Sequence, residues 1–114
     1  MDSCLFCRIA NHELPSKMAH EDDRVIAIHD IHPQAPVHVL FVPKQFYATL
    51  NEVPADQPEL PGRLMLAAAE YARREGFADR GYRVVMNVNR EGGQTVFHVH
   101  LHLLAGHALR DGFG

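Results

Sequence analysis

The chain has 114 residues, enough for one domain with a single hydrophobic core and too few for two. Its formal net charge of −3 and its scattered basic residues argue against a nucleic-acid groove. No apolar run reaches the roughly 18 residues of a membrane span and the start lacks a signal-peptide pattern, so we expect a cytoplasmic protein without membrane contact.

The first half of the chain predicts one short helix and two strands. Residues Ser3 to Ala10 can form a helix, which ends before Pro15. Apolar runs rich in β-branched residues then predict strands at Val25–Ile28 and Val37–Val42. Two prolines in residues 32–36 exclude regular structure between these strands.

The second half predicts a long amphipathic helix and two longer strands. The helix runs from about Pro61 to Glu75, with Gly76 as its C-terminal cap. Strands follow at Tyr82–Asn89 and Val96–Leu104, with a turn at residues 91–93. Because strands outnumber helices and short turns join them, we predict an α+β fold with an antiparallel sheet. The stripe of the helix predicted to be buried comprises Leu64, Met65, Ala68, Tyr71 and Ala72.

Histidines alternate with apolar residues in the last predicted strand. The chain has nine histidines, and three of them are His98, His100 and His102. Since neighbouring side chains in a strand point to opposite faces, these imidazoles would share one face. A row of three would stabilise a core poorly, because each buried ring nitrogen needs a hydrogen-bond partner.

Three interpretations of this row compete. The simplest is a solvated or hydrogen-bonded structural face. The second is a zinc site, although His98 and His102 would lie about 13 Å apart along the strand, too far to share one ion easily. The third is catalysis, in which the middle imidazole attacks an electrophile, and we favour this one. A neutral imidazole, with an ordinary pKa of about 6.5, is a competent nucleophile at neutral pH.

The turn before the last strand adds hydrogen-bond donors to this hypothesis. Gly92 and Gly93 allow backbone N–H groups to turn toward an anion, and Gln94 and Thr95 add side-chain donors. Attack on phosphorus places negative charge on the non-bridging oxygens, where such donors are needed.

The segment from His98 to Leu104 resembles the signature of the histidine-triad proteins, His-φ-His-φ-His-φφ, where φ is apolar. With residues 4–9, 21–23, 29–38 and 81–104, the chain resembles the Hint branch of that superfamily over nearly its whole length. The resemblance implies a single domain over residues 1–114, with a five-stranded antiparallel sheet, one long helix and a short N-terminal helix. It also implies a homodimer in which the sheet continues from one protomer to the other.

The same resemblance implies an activity. Purine nucleoside 5′-phosphoramidates would be hydrolysed at the P–N bond through a nucleotidyl-histidine intermediate, with no cofactor required. His100 would attack the α-phosphorus and His102 would contact the phosphate. His98 and His38 would hold the relay beside the nucleophile.

The resemblance further assigns nucleotide contacts. Phosphate contacts would come from Asn87, Gly93, Gln94 and Thr95, and Asp30 would accept the ribose hydroxyls. Four apolar residues would line the base pocket, with plain core packing as the alternative for them: Phe6, Ile9, Ile31 and Leu40.

Cys4 and Cys7 have the spacing of half a zinc site. Some bacterial proteins of the superfamily complete a structural zinc site with a histidine after the Pro–Lys pair that ends the second long strand. Here Phe46 stands at that point, so we expect two free thiols in place of structural zinc. A redox role is disfavoured because the motif does not follow a strand of a βαβ unit.

Two further functions remain open from the sequence. The same nucleophile would cleave dinucleoside polyphosphates, with a nucleotide as the leaving group. Alternatively, the protein binds nucleotides, a partner or a metal, and any hydrolysis is vestigial. The four histidines argue against simple binding, which would not require the middle one.

Overall fold

The computed structural model of the protein describes residues 4–110. No helix within that range is long and apolar enough to cross a membrane. In chain order the elements are α1 (Leu5–Ala10), β1 (Met18–Glu21), β2 (Val25–His29), β3 (Val37–Pro43), a 3-10 turn (Leu50–Glu52), α2 (Glu59–Arg74), β4 (Arg83–Val85) and β5 (Leu101–Ala105).

The five strands form one antiparallel sheet in the order β1-β2-β3-β5-β4. This confirms the predicted α+β fold with one long helix and a short N-terminal helix. Strand β1 was not predicted from the residues, because its outer positions are exposed and its inner ones half-buried. It forms by pairing with the fully buried run of β2.

Helix α2 covers one face of the sheet. Its buried side chains pack with Phe41 of β3 and Leu103 of β5. The predicted stripe is confirmed except for Met65, which is 53% exposed, and Leu60 extends it by one turn. The helix starts at Glu59 and not at Pro61, since a proline in the first turn removes an N–H group that has no intrahelical partner.

Helix α1 covers part of the opposite face. Phe6 and Ile9 pack there against Leu40 of β3 and its neighbours from β2. Because side chains alternate along β3 and β5, His38 and His102 project from the same face as Leu40. The sheet therefore places apolar residues under α2 and polar chemistry on the α1 face.

The last two strands are shorter than predicted. Strand β4 ends at Val85, and β5 begins at Leu101, so His98 and His100 precede the strand. Asn89 has a φ of 63°, which breaks the extended backbone. The N–H of Val99 donates to the carbonyl of Tyr47, outside the sheet. Of the three histidines of the row, His102 is thus in the strand, while His98 and His100 lie in a segment tied to a loop.

Candidate active site

His100 is held so that one ring nitrogen is free. Its Nδ1 lies 2.8 Å from the backbone carbonyl oxygen of His98. Since a carbonyl only accepts, Nδ1 carries the proton and Nε2 keeps its lone pair. The ring is 7% exposed, and the ring of Phe6 meets it edge-on at 5.1 Å between centroids. A fixed neutral tautomer with an unprotonated Nε2 is the form in which imidazole is a nucleophile.

A second chain of hydrogen bonds fixes His38 and His102. The backbone N–H of Gln34 donates to Nδ1 of His38 over 3.0 Å, so the proton of His38 is on Nε2. That Nε2 donates to Nδ1 of His102 over 2.9 Å. His102 therefore carries its own proton on Nε2. Within residues 4–110, no protein group accepts from that Nε2–H, and it is available to an anion.

These tautomers require neutral rings, and burial favours the neutral form. Burial lowers the pKa of His100 and outweighs its bond to the carbonyl of His98. Burial also lowers the pKa of His38 despite the nearby carboxylate of Asp30. Burial, together with repulsion from His100 and His38, lowers the pKa of His102 to about 4. At neutral pH all three are uncharged.

Asp30 lies at the end of β2 beside this chain. Its backbone N–H donates to the carbonyl of His38, and one carboxylate oxygen accepts the N–H of His32 over 2.7 Å. The other oxygen lies 3.5 Å from Nε2 of His38. The ligand atoms of Asp30, His38 and His102 lie close enough together to hold a metal ion. Nε2 of His38 carries a proton, however, so it is not a ligand in this arrangement.

His98 differs from the role that the resemblance implied. Its Nε2–H donates to the carbonyl of Pro43 over 2.9 Å, and its Nδ1 faces the sulfurs of Cys4 and Cys7. The imidazole therefore lies on the cysteine side, and it is the backbone carbonyl of His98 that accepts the Nδ1–H of His100. His98 positions the nucleophile through its main chain.

Cys4 and Cys7 are joined by a disulfide, so the prediction of two free thiols is wrong for this state. Nδ1 of His98 lies 3.3 Å from each sulfur. A closed structural zinc site takes four protein ligands, and only these three groups converge within residues 4–110. The ring of Phe46 packs edge-on against His98 at 5.2 Å. The described residues do not fit a closed structural zinc site.

The glycine turn is held mainly by its own contacts. The N–H groups of Gly93 and Gln94 donate to carbonyls within the turn, and Asn87 donates from its side chain to the carbonyl of Gly92. The buried amide of Gln94 donates to the carbonyl of Ala48 and accepts the N–H of Asn89. These contacts occupy the N–H of Gly93 and the side-chain amide of Gln94, two of the donors that the sequence suggested for an anion. The exposed Thr95 has no side-chain hydrogen bond within the described residues.

The four predicted base-pocket residues divide into two groups. Phe6, Ile9 and Leu40 are buried in the core on the α1 face, as the packing alternative predicts. Ile31 is 86% exposed, immediately after Asp30. Of the apolar set, only Ile31 presents its side chain to solvent beside a polar group of the site.

Several groups that position the histidines could not be predicted from the sequence. They are the backbone carbonyls of Pro43, Tyr47 and His98 and the backbone N–H of Gln34. Main-chain groups carry no residue-type signal, so only the fold reveals them.

Comparison with known proteins places this geometry in a family. The HIT domain model matches residues 11–109. The chain is 44% identical over 108 residues to a purine nucleoside phosphoramidase of Escherichia coli strain K12, covering 95% of this chain and 91% of that protein.

Solved structures agree with this assignment. A HIT family hydrolase from Legionella pneumophila superposes with a TM-score of 0.95 at 46% identity, covering 98% of this chain and all of the other. A zinc-bound histidine triad family protein from Mycobacterium smegmatis gives a TM-score of 0.79 at 31% identity, covering 98% of this chain and 78% of the other. The fold, the histidine arrangement and these likenesses together show that the chain belongs to the HIT domain family.

Proposed function

We propose that the protein hydrolyses purine nucleoside 5′-phosphoramidates, with Nε2 of His100 as the nucleophile. The observation that carries this proposal is the fixed tautomer of His100, whose Nδ1–H is bound by the carbonyl of His98. The purine nucleoside phosphoramidase at 44% identity supports the substrate class.

The first half of the reaction forms a covalent intermediate. The lone pair on Nε2 of His100 attacks the α-phosphorus, a new N–P bond forms, and the P–N bond to the amine breaks as the amine takes up a proton from solvent. The imidazole ring becomes cationic at this stage. Its Nδ1–H remains bonded to the carbonyl of His98, whose partial negative charge stabilises that cation.

His102 stabilises charge on the phosphoryl oxygens. Its Nε2–H is oriented by the bond from His38 to Nδ1, so this donor needs no reorganisation when charge develops. Water then attacks the phosphorus and loses a proton to solvent, the N–P bond breaks, and the nucleoside monophosphate leaves neutral His100. His38 acts through His102 and is a positioning residue.

The nucleotide is held beside these histidines in this proposal. The carboxylate of Asp30 accepts the ribose hydroxyls, and the exposed side chain of Ile31 covers the base. Thr95 donates to the phosphate region, while Asn87, Gly93 and Gln94 shape the turn that carries it. The reaction as written uses only protein groups and water.

We also propose that the protein is a homodimer in which the sheet continues between protomers. Strand β4, with three residues, lies at one edge of the sheet and leaves backbone groups on one side for another strand. Light scattering of the purified protein tests whether it is a dimer, and a monomeric mass at micromolar concentration would contradict the proposal. The cytoplasmic location stays a prediction of the sequence.

The activity is tested by comparing two leaving groups on one nucleoside. We expect adenosine 5′-phosphoramidate to be hydrolysed with a much higher kcat/KM than diadenosine polyphosphates. A guanosine phosphoramidate and a pyrimidine analogue then measure the base preference. Faster cleavage of the dinucleotides would replace this proposal with the polyphosphate activity, and binding without turnover would support a binding protein.

A further inference from the structure

A second group of reactive side chains lies outside the nucleophile, where Cys4 and Cys7 meet the imidazole of His98. We propose that Cys4 and Cys7 form a reversible dithiol–disulfide pair that exchanges with low-molecular-weight disulfides, and that its state acts on His100 through His98.

The strongest observation is a buried acceptor aimed at the two sulfurs. Nε2 of His98 donates to the carbonyl of Pro43, so Nδ1 carries a lone pair. This Nδ1 lies 3.3 Å from each sulfur, and His98 is 0% exposed. A buried acceptor without a donor is unfavourable.

The two redox states differ at this acceptor. In the dithiol state one S–H group donates to Nδ1 of His98 and satisfies it. In the disulfide state neither sulfur has a proton to donate, and Nδ1 is left unpaired. The contacts of His98 therefore favour the reduced pair, and this is the property of a labile disulfide rather than a structural one.

The geometry also permits the exchange. The Cα atoms of Cys4 and Cys7 lie 5.2 Å apart, a separation that a disulfide spans without backbone movement. Both side chains are half-buried, so a small disulfide can reach them. The backbone N–H of Cys7 donates to the sulfur of Cys4 over 3.2 Å, which favours a thiolate there. Cys4 is therefore the attacking residue.

The exchange proceeds in two balanced steps. The Cys4 thiolate attacks a disulfide RSSR, a mixed disulfide forms, and one thiolate RS⁻ leaves and takes up a proton. The Cys7 thiolate then attacks the sulfur of Cys4, the protein disulfide forms, and the second RS⁻ leaves. Two cysteine thiols are oxidised and RSSR is reduced to two RSH.

Two contacts connect the pair to His100. The residue whose imidazole faces the sulfurs is also the one whose carbonyl binds Nδ1–H of His100. Phe6, which lies between the two cysteines in α1, packs edge-on against the ring of His100. Loss of the donor to His98 weakens the hold on the nucleophile. We expect the weaker hold to misalign the imidazole of His100 and to lower turnover by roughly tenfold, because attack depends on alignment.

Cys4, Cys7 and His98 could instead bind a metal ion, and Phe46 distinguishes a metal site from a thiol–disulfide pair. Its ring packs edge-on against His98 at the position where the resemblance puts a histidine ligand, and no other donor joins the three within the described residues. Phe46→His supplies that donor. We expect this variant to bind one equivalent of zinc and to keep its thiols reduced in an oxidising buffer.

The test measures thiol state and turnover in the same samples. Wild-type protein is equilibrated in buffers of reduced and oxidised glutathione, alkylated, and analysed by mass spectrometry, with kcat on adenosine 5′-phosphoramidate measured in parallel. We expect a species lighter by two hydrogens, with a link between Cys4 and Cys7, and a matching fall in kcat. The double variant Cys4→Ser/Cys7→Ser has no thiol left and keeps hydroxyls that can donate to His98, so its kcat should not follow the glutathione ratio.

The outcomes separate this proposal from the proposed function. Absence of the Cys4–Cys7 link at every ratio, or zinc binding by the wild type as tight as by Phe46→His, would overturn the thiol pair. A link with unchanged kcat would overturn the connection to His100. The turnover effect rests on the proposed function, but the mass measurement does not. No turnover in either redox state would refute the proposed activity. The mass measurement of the Cys4–Cys7 link would still test the thiol chemistry.

Discussion

The neutral histidines of the site make the protein sensitive to acid, and His102 contributes most clearly. Its pKa is lowered from 6.5 to about 4 by burial and by His100 and His38. As the pH falls through 6.5, the unfolded chain takes up a proton at this residue and the folded protein does not. The free energy of unfolding therefore decreases down to about pH 4 and loses this dependence below it.

The size of the effect follows from the shift. One pKa unit corresponds to about 1.4 kcal/mol, so a fall from 6.5 to about 4 corresponds to at most about 3.4 kcal/mol, and solvent screening of this half-buried ring reduces it. Part of this shift is shared with His38 and His100, whose own pKa values are also lowered. We expect His102→Asn to remove about 2 to 3 kcal/mol of the acid destabilisation.

Urea unfolding at a series of pH values, from about pH 4 to about pH 7, measures this difference. Asparagine keeps an acceptor for the Nε2–H of His38 but does not titrate. The contribution of His102 is therefore the difference between the free energies of unfolding of the wild type and of His102→Asn at each pH. The wild type should lose stability faster than His102→Asn as the pH falls. Parallel curves would refute the assignment of His102 as a buried neutral imidazole.

The remaining predictions concern the core, the turn and the ribose. Leu64→Ala should lower the free energy of unfolding by about 2–5 kcal/mol in urea titrations, while Met65→Ala, at an exposed site, should change it by less than about 0.5 kcal/mol. Gly92→Ala would drive a Cβ into the backbone oxygen of Val88; we expect a lower melting temperature and kcat, and unchanged values would contradict the turn geometry. The wild type should prefer ribonucleotide substrates to their 2′-deoxy analogues, and Asp30→Asn should raise KM for the ribonucleotides and abolish that preference. A preference retained by the variant would assign the ribose to another residue.

The sequence predicts best the elements whose own residues form a clear apolar run or stripe. Val25–Ile28 and Val37–Val42 were found because both strands are apolar and β-branched, and α2 was found from its stripe. Strand β1 was missed because pairing with its neighbour, rather than its own apolar pattern, makes it a strand.

The histidine segment shows where periodicity misleads. Alternation of histidine and apolar residues from His98 to His102 imitates a strand, but Val99 bonds to a loop carbonyl and only the last part of the segment joins the sheet. His98, His100 and His102 were identified from residue type and spacing, and His38 only from the resemblance to the histidine-triad proteins. The tautomer of His100 depends on a main-chain carbonyl, which no residue pattern encodes.

The most direct test of the account is the fate of His100 during turnover. Wild-type protein mixed with adenosine 5′-phosphoramidate and quenched in alkali should carry a nucleotidyl group on His100, detected by peptide mass spectrometry. His100→Gly should bind the nucleotide with similar affinity, form no such adduct and lose several orders of magnitude in kcat, because the nucleophile itself is absent. An equally active His100→Gly, or an adduct on a different histidine, would contradict the central claim.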